Sequence, residues 1–287
     1  MTDFAAYAAK KVREAEAAPI ARLSTVEDCS AAFDCVHLGN AWTQSHYDGL
    51  FDLPIRAGAD APCISLCFVQ SRDGNTGASN PEMLGGGPID KHLIYEGLSR
   101  VAADGVMAGA TTAEGAGTFF SVWHPQLVAL RSALGLPRHP AQIVLTGRGC
   151  IDVERTLLFN VPDVPVYVIA SPGACERLEA AMSRRPTVEL IPMHGDELRA
   201  PLVYLRRERR VGRISCIGGR ATATALLDGG FVQDLCLTTT ARAAGEPGTP
   251  YYVGKNKLPL QLMVRKRAAD PEYPITFEHF AVADAGA

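Results

Sequence analysis

Four short stretches combine small residues with single polar groups, as turns that hold a ligand do. Ile217-Gly218-Gly219-Arg220-Ala221-Thr222 joins a short apolar run to a segment of helical composition. Two glycines there let a backbone approach a pyrophosphate, and the free N–H groups and positive end of a following helix favour the anion. A plain tight turn is the alternative reading. Gly109-Ala110-Thr111-Thr112 repeats the arrangement, and its threonine hydroxyls can donate to phosphate oxygens or cap the next helix. Arg148, within Thr146-Gly147-Arg148-Gly149, offers fork-like contacts to a phosphate group such as a 2′-phosphate; Ser171 is placed to assist. Surface arginines in glycine-rich turns are also common without a ligand. Ser71-Arg72-Asp73-Gly74-Asn75 is turn-forming sequence, in which Asp73 either shapes the turn or faces a substrate.

Each stretch follows a segment that reads as a strand. Cys63–Gln70, Gly105–Gly109, Gln142–Thr146, Val166–Ala170, Val188–Ile191 and Arg213–Ile217 are short apolar runs of the kind buried in a sheet. Helices are expected between them. Ile89–Ala103 carries Leu93, Ile94, Gly97, Leu98, Val101 and Ala102 on one face, with Asp90 as a cap. Gly173–Arg184 and Asp196–Arg210 follow, and Thr222–Leu227 reads as a short helix stopped by Gly229-Gly230. Such alternation predicts right-handed crossovers and a mostly parallel sheet. Asp234–Thr240, Leu260–Arg265 and Ile275–Val282 have no helices between them and are expected to form an antiparallel edge. Ligands of such sheets bind beyond the carboxyl ends of the strands, where the four stretches fall. Residues 1–60 differ in texture. Phe4–Ala17 should be helical, and the segment reads as a helical extension packed on a main domain of residues 61–287, with Gly58–Pro62 as the link.

Composition narrows the class. The 287 residues are 47% hydrophobic and 21% charged, with a net charge of −3, as in an ordinary globular protein. That balance carries no electrostatic footprint for nucleic acid and none for an anionic membrane. No apolar run has the length of a bilayer span, and no secretory signal opens the chain. Eight cysteines form no C-x-x-C pair and several lie in apolar runs, which reads as buried thiols in a reducing cytoplasm. Seven histidines show no ligand spacing, so no metal is expected. No G-x-G-x-x-G, Walker-A, G-x-S-x-G or zinc-deaminase motif is present. Arg206–Arg210 reads as a solvated helix end.

In order and spacing these pieces resemble the reductase domain of the riboflavin-pathway deaminase-reductases, which shares its fold with dihydrofolate reductase. The matching pieces are Ser71–Gly74 (S-x-D-G), the helix Ile89–Ala103, Asp104–Thr112 (DGVMAGATT), Ile217–Ala221 (IGGRA) and Leu226–Leu237. The resemblance covers about four-fifths of the chain. It implies a dihydrofolate-reductase-like α/β fold: a mostly parallel sheet flanked by helices, with an antiparallel C-terminal edge. It implies NADPH as cofactor, with Gly218, Gly219, Ala221 and Thr222 at the pyrophosphate and Gly109 and Thr112 across the cleft. Arg148 and Ser171 then meet the adenosine end, and Asp73 and Gly74 border nicotinamide and substrate, with Asp73 as a candidate acid. The implied reaction is hydride transfer to a flat pyrimidine- or pterin-like heterocycle, and the implied assembly a homodimer. A non-catalytic NADPH- or ligand-binding protein of the same fold is the alternative, with a structural dimerisation module behind it. Three departures stand out. Ile217 replaces a residue that is often acidic, the deaminase half is absent, and Thr240–Gly254 is long and carries Tyr251 and Tyr252. Those tyrosines either stack on a heterocycle or pack on the sheet.

Overall fold

The computed structural model describes residues 3–55, 60–78, 81–195, 197–254 and 256–283. Twelve strands and eight helices form among them. The strands are β1 (Ser24–Asp28), β2 (Cys35–Leu38), β3 (Phe51–Pro54), β4 (Cys63–Gln70), β5 (Gly105–Gly109), β6 (Ala141–Thr146), β7 (Val166–Ala170), β8 (Val188–Pro192), β9 (Arg213–Cys216), β10 (Val232–Thr240), β11 (Leu260–Ala268) and β12 (Ile275–Val282). The helices are α1 (Phe4–Glu16), α2 (Ala41–His46), α3 (a turn at Gly87–Ile89 continued by Asp90–Ser99), α4 (Ala110–Ala113), α5 (Pro125–Ala133), α6 (Pro172–Met182), α7 (Arg199–Glu208) and α8 (Arg220–Asp228). Asp196, expected to open α7, and the Gly58-Ala59 part of the expected link lie outside the described residues.

One ten-stranded sheet runs in the order β1-β11-β12-β10-β4-β9-β5-β6-β7-β8. From β10 to β8 every neighbouring pair is parallel. β12 turns antiparallel against β10, β11 against β12, and β1 against β11. The expected parallel sheet with an antiparallel C-terminal edge is therefore present. Alternate side chains of each strand point to opposite faces. Ile64, Leu66, Ile143 and Ile169 meet Leu202 and Leu205 of α7 and Leu226 of α8 on one face. Cys67, Cys236 and Phe277 meet Leu93 and Leu98 of α3 and Leu127 of α5 on the other, and Val144 and Val168 there meet Leu178 of α6.

Residues before 60 hold α1 and α2, but also three strands. β1 adds to the edge of the main sheet, and β2 pairs with β3 as a separate ribbon. Tyr47, Phe51 and Leu53 from this stretch are buried in the same cluster as α3. α3 also departs from expectation. From Asp90 to Ser99 it is a π-helix, which is seldom extended and is frequent at functional sites. The wider coil buries Asp90, His92 and Glu96 along with the apolar residues. Asp90 does not cap the helix; Gly86 is at that position, and no side-chain cap is made. No helix among the described residues is long and apolar enough to cross a membrane.

Candidate active site

β9 stops short. It pairs with β4 only from Cys63 to Leu66, ending at Cys216, while β4 continues to Gln70 beside β10. Beyond Leu66 the sheet therefore parts between β4 and β5, and the chain leaving β9 turns through Gly218 and Gly219 at the base of the slot. Both glycines have positive φ, +103° and +78°. A Cβ on Gly218 would lie 3.0 Å from the Phe68 ring, so a side chain there would collide with the slot wall. Gly219 is the N-cap of α8 and offers no side chain to its N–H groups. The helix thus presents unsatisfied donors and the positive end of its dipole to the slot.

The turn after β5 closes on the same point. Gly109 N–H donates to Gly218 O at 3.2 Å, and Ile217 N–H donates to Met107 O at 3.0 Å. A Cβ on Gly109 would stand 2.9 Å from Thr222 Oγ1, and one on Gly219 would meet Thr112 Oγ1 at 3.8 Å. Gly109, Thr112, Gly218, Gly219 and Thr222 are thus brought together, with Ala221 exposed on the first turn of α8. This cradle fits an anionic cofactor such as a dinucleotide pyrophosphate. Added Cβ atoms would fill it, and the helix end is left for another group to cap.

Arg148 and Ser171 stand farther along the same carboxyl edge, after β6 and β7. The Arg148 carbonyl is held by Arg177 Nε at 3.0 Å, while its side chain is exposed to solvent. Ser171 is already committed. Its hydroxyl donates to Gly147 O at 2.7 Å and accepts from Ala174 N–H as the cap of α6. It therefore braces the Arg148 turn, with only residual acceptor capacity for a ligand.

Asp73 does not have the surroundings of an acid. It is exposed, Ser71 Oγ donates to it at 2.7 Å, and Asn75 Nδ2 donates at 2.9 Å. The Ser71 hydrogen bond above all holds its carboxyl below the usual range. Asp73 is a turn-closing acceptor, with Gly74 at φ +80° completing the turn. The long segment after β10 knits onto this turn: Thr249 N–H donates to Asn75 Oδ1 at 3.1 Å, and Thr76 N–H donates to Thr249 O at 2.7 Å. The two tyrosines of that segment separate. Tyr252 donates to Asp228 at the end of α8, whereas the half-buried Tyr251 ring lies 5.9 Å from Phe68, above the slot.

The acid that sequence reasoning missed is Asp90. It is buried at the start of α3, and desolvation pushes its carboxyl up to about 7. Thr238 of β10 faces it and draws the value back somewhat. Yet Asp90 Oδ1 and Thr238 Oγ1 both lack a hydrogen-bond partner among the described residues. The two groups face each other, and a buried carboxyl raised toward neutrality at the end of the sheet is a functional-site signal. The sequence carried a hint, since Gly85-Gly86-Gly87 precedes the helix and a Cβ on Gly86 would lie 2.7 Å from Asp90 Oδ2. Beside the Ser71–Asn75 turn a groove of about 340 Å3 opens, lined by Arg72, Arg267, Thr239 and Thr276. Neither arginine has an ion-pair partner among the described residues.

These features define a dihydrofolate-reductase-like α/β protein with a slot at the carboxyl edge of its sheet. Solved structures of the riboflavin-pathway reductases share that fold. A pyrimidine reductase-like protein from Corynebacterium diphtheriae matches with a TM-score of 0.61 at 23% identity, over 77% of this chain and 92% of its own. RibD of Acinetobacter baumannii matches at 0.58 and 13% identity, over 78% of this chain and 59% of its own. The riboflavin biosynthesis reductase of Saccharomyces cerevisiae matches at 0.53 and 15% identity, over 80% and 93%. No protein-family model and no curated protein sequence matches the chain.

Proposed function

We propose that the protein is an NADPH-dependent reductase of a phosphate-bearing, pyrimidine-like heterocycle. The observation that carries this reading is the slot itself, with an anion cradle at its base and a buried, protonatable Asp90 on the face of β4 beside it. Similarity to the riboflavin-pathway reductases supports it at the level of fold. When bound, the cofactor supplies a hydride to a C=N or carbonyl carbon of the substrate.

The chain's own residues do the rest. Gly218, Gly219 and the N–H groups of Ala221 and Thr222 hold the pyrophosphate. Gly109 permits its approach, and Thr112 donates to it. The carboxyl edge from β4 to β7 spans four strand spacings, about 19 Å, which suits an extended dinucleotide. Arg148 meets the adenosine end, where its guanidinium selects a 2′-phosphate. Phe68 and Tyr251 shield the slot from water. Asp90 holds a proton at Oδ1 and delivers it to the substrate atom adjoining the reduced carbon, so that C=N becomes CH–NH and the carboxyl becomes carboxylate. Arg72 and Arg267 receive the substrate's phosphate in their groove.

Gly219→Asp places a side chain and a negative charge in the cradle. It should weaken NADPH binding by at least about 100-fold at a stability cost of only about 1–3 kcal/mol from the positive φ; unchanged affinity would overturn the cradle assignment. Arg267→Ala should raise KM for a phosphorylated pyrimidine substrate about tenfold with little change for the unphosphorylated nucleoside. Equal effects on both would remove the groove from substrate recognition.

A further inference from the structure

Midway along β10, two residues from Thr238 on the same face, four donor atoms converge in the dry interior. Asp234 and Cys236 alternate on one face of β10, and His279 of β12 lies directly across from Cys236. Ser65 of β4 lies across from Asp234 on the other side. All four residues are buried, His279 and Cys236 completely. Ser65 Oγ is 2.8 Å and His279 Nε2 2.9 Å from Asp234 Oδ2; Cys236 Sγ is 3.9 Å from that oxygen and 3.8 Å from Ser65 Oγ. The sulfur, the imidazole nitrogen and the carboxylate oxygen all lie within 4.8 Å of one another.

We propose that Asp234, Cys236 and His279, with Ser65 as a weaker fourth donor, bind one structural divalent ion of the zinc class. Bond lengths of about 2.0–2.3 Å to N, O and S in a tetrahedron give donor-to-donor edges of about 3.3–3.6 Å. The edges that meet at Asp234 Oδ2 and Ser65 Oγ run from 2.8 to 3.9 Å and the sulfur-to-imidazole edge is within 4.8 Å, so side-chain shifts of about an ångström complete the shell. Charge also balances. A carboxylate and a thiolate neutralise a divalent ion, and imidazole and hydroxyl add none. A carboxylate sealed from water needs a compensating positive charge, which a divalent ion supplies. Asp234 Oδ1, His279 Nδ1 and the nearby Tyr47 hydroxyl, all buried, have no hydrogen-bond partner among the described residues. Mixed sulfur, nitrogen and oxygen ligation is the donor chemistry of zinc rather than of magnesium or calcium. The ion would tie β12 to β10 and β4 beneath Tyr47, and is loaded as the chain folds. This inference does not depend on the reductase reading.

The test is made on the full-length chain produced with zinc or cobalt in the growth medium and then desalted. About one metal per chain is expected, with a thiolate-to-cobalt charge-transfer band in the cobalt form. Cys236→Ser and Asp234→Asn should lose most of the metal, and Cys150→Ser, at an exposed thiol, should keep it all. Background metal in wild type overturns the proposal, as does full retention in Cys236→Ser or loss in Cys150→Ser. Should the core variants fail to fold, the wild-type cobalt spectrum decides: a spectrum without the thiolate band overturns the assignment.

Discussion

Asp73 and Asp90 are two aspartates near the end of β4 and the start of α3, and their surroundings push them in opposite directions. Solvent and two hydrogen-bond donors hold Asp73 as carboxylate, so at neutral pH it has no proton to give. Burial raises Asp90 to about 7, close to the working pH at which a general acid is most effective. With Asp90 as the proposed acid, its protonated form is the active one, so kcat should fall as pH rises through about 7. Asp90→Asn should lower kcat about 100-fold and remove that limb of the profile, with NADPH affinity nearly unchanged. The sign for stability runs the same way. The folded state keeps a proton that the unfolded chain releases near 3.9. The contribution is therefore complete below that pH and lost as pH rises through about 7. Chemical denaturation of Asp90→Asn at pH 8 should show a gain on the order of 2–4 kcal/mol over wild type. A loss there would contradict the assigned burial.

At the scale of elements, legibility followed burial on both faces. β4, β5 and β7 have the bounds that their apolar runs predict, because each lies between two layers and has no reason to be polar; β12 keeps its predicted bounds with one buried face and alternating half-exposed residues. β1 was silent for the opposite cause. Ser24–Asp28 is an exposed edge strand held by backbone pairing to β11, and edge strands need no apolar alternation. A period of 3.6 explains the leucines of α3, so its sequence reads as an ordinary helix capped by Asp90, whereas the chain forms a π-helix with Asp90 buried in it. The cradle was legible, since Gly218-Gly219 and Gly109–Thr112 are local signals. Asp90 with Thr238 was not, since that pairing joins residues 148 positions apart. The stretch before residue 60 belongs to the core. The Phe51 ring is fully buried, and a Cβ on Gly97 of α3 would lie 2.6 Å from its Cζ. Phe51→Ala should cost about 3–5 kcal/mol by urea denaturation, whereas a loosely attached arm would give a change under about 0.5 kcal/mol.

Across the whole molecule, the sheet sets out its chemistry by position. In strand order β4, β9, β5, β6 and β7, the carboxyl edge carries the Ser71–Asn75 turn, the Gly218-Gly219 cradle, Gly109–Thr112, Arg148 and Ser171 in one line. The premature end of β9 opens the slot in the middle of that line, and the segment after β10 roofs it. Below that edge, inside the sheet, lies the donor cluster of Ser65, Asp234, Cys236 and His279, two residues down β10 from Thr238. In the proposed function this line of turns holds NADPH. Titration of the purified protein with NADPH and NADH, followed by cofactor fluorescence, tests it most directly. Micromolar binding of NADPH, with NADH at least about tenfold weaker because it lacks the phosphate that Arg148 is proposed to select, is the predicted result. Binding of neither cofactor would contradict the account, leaving a reductase fold whose cradle holds something else.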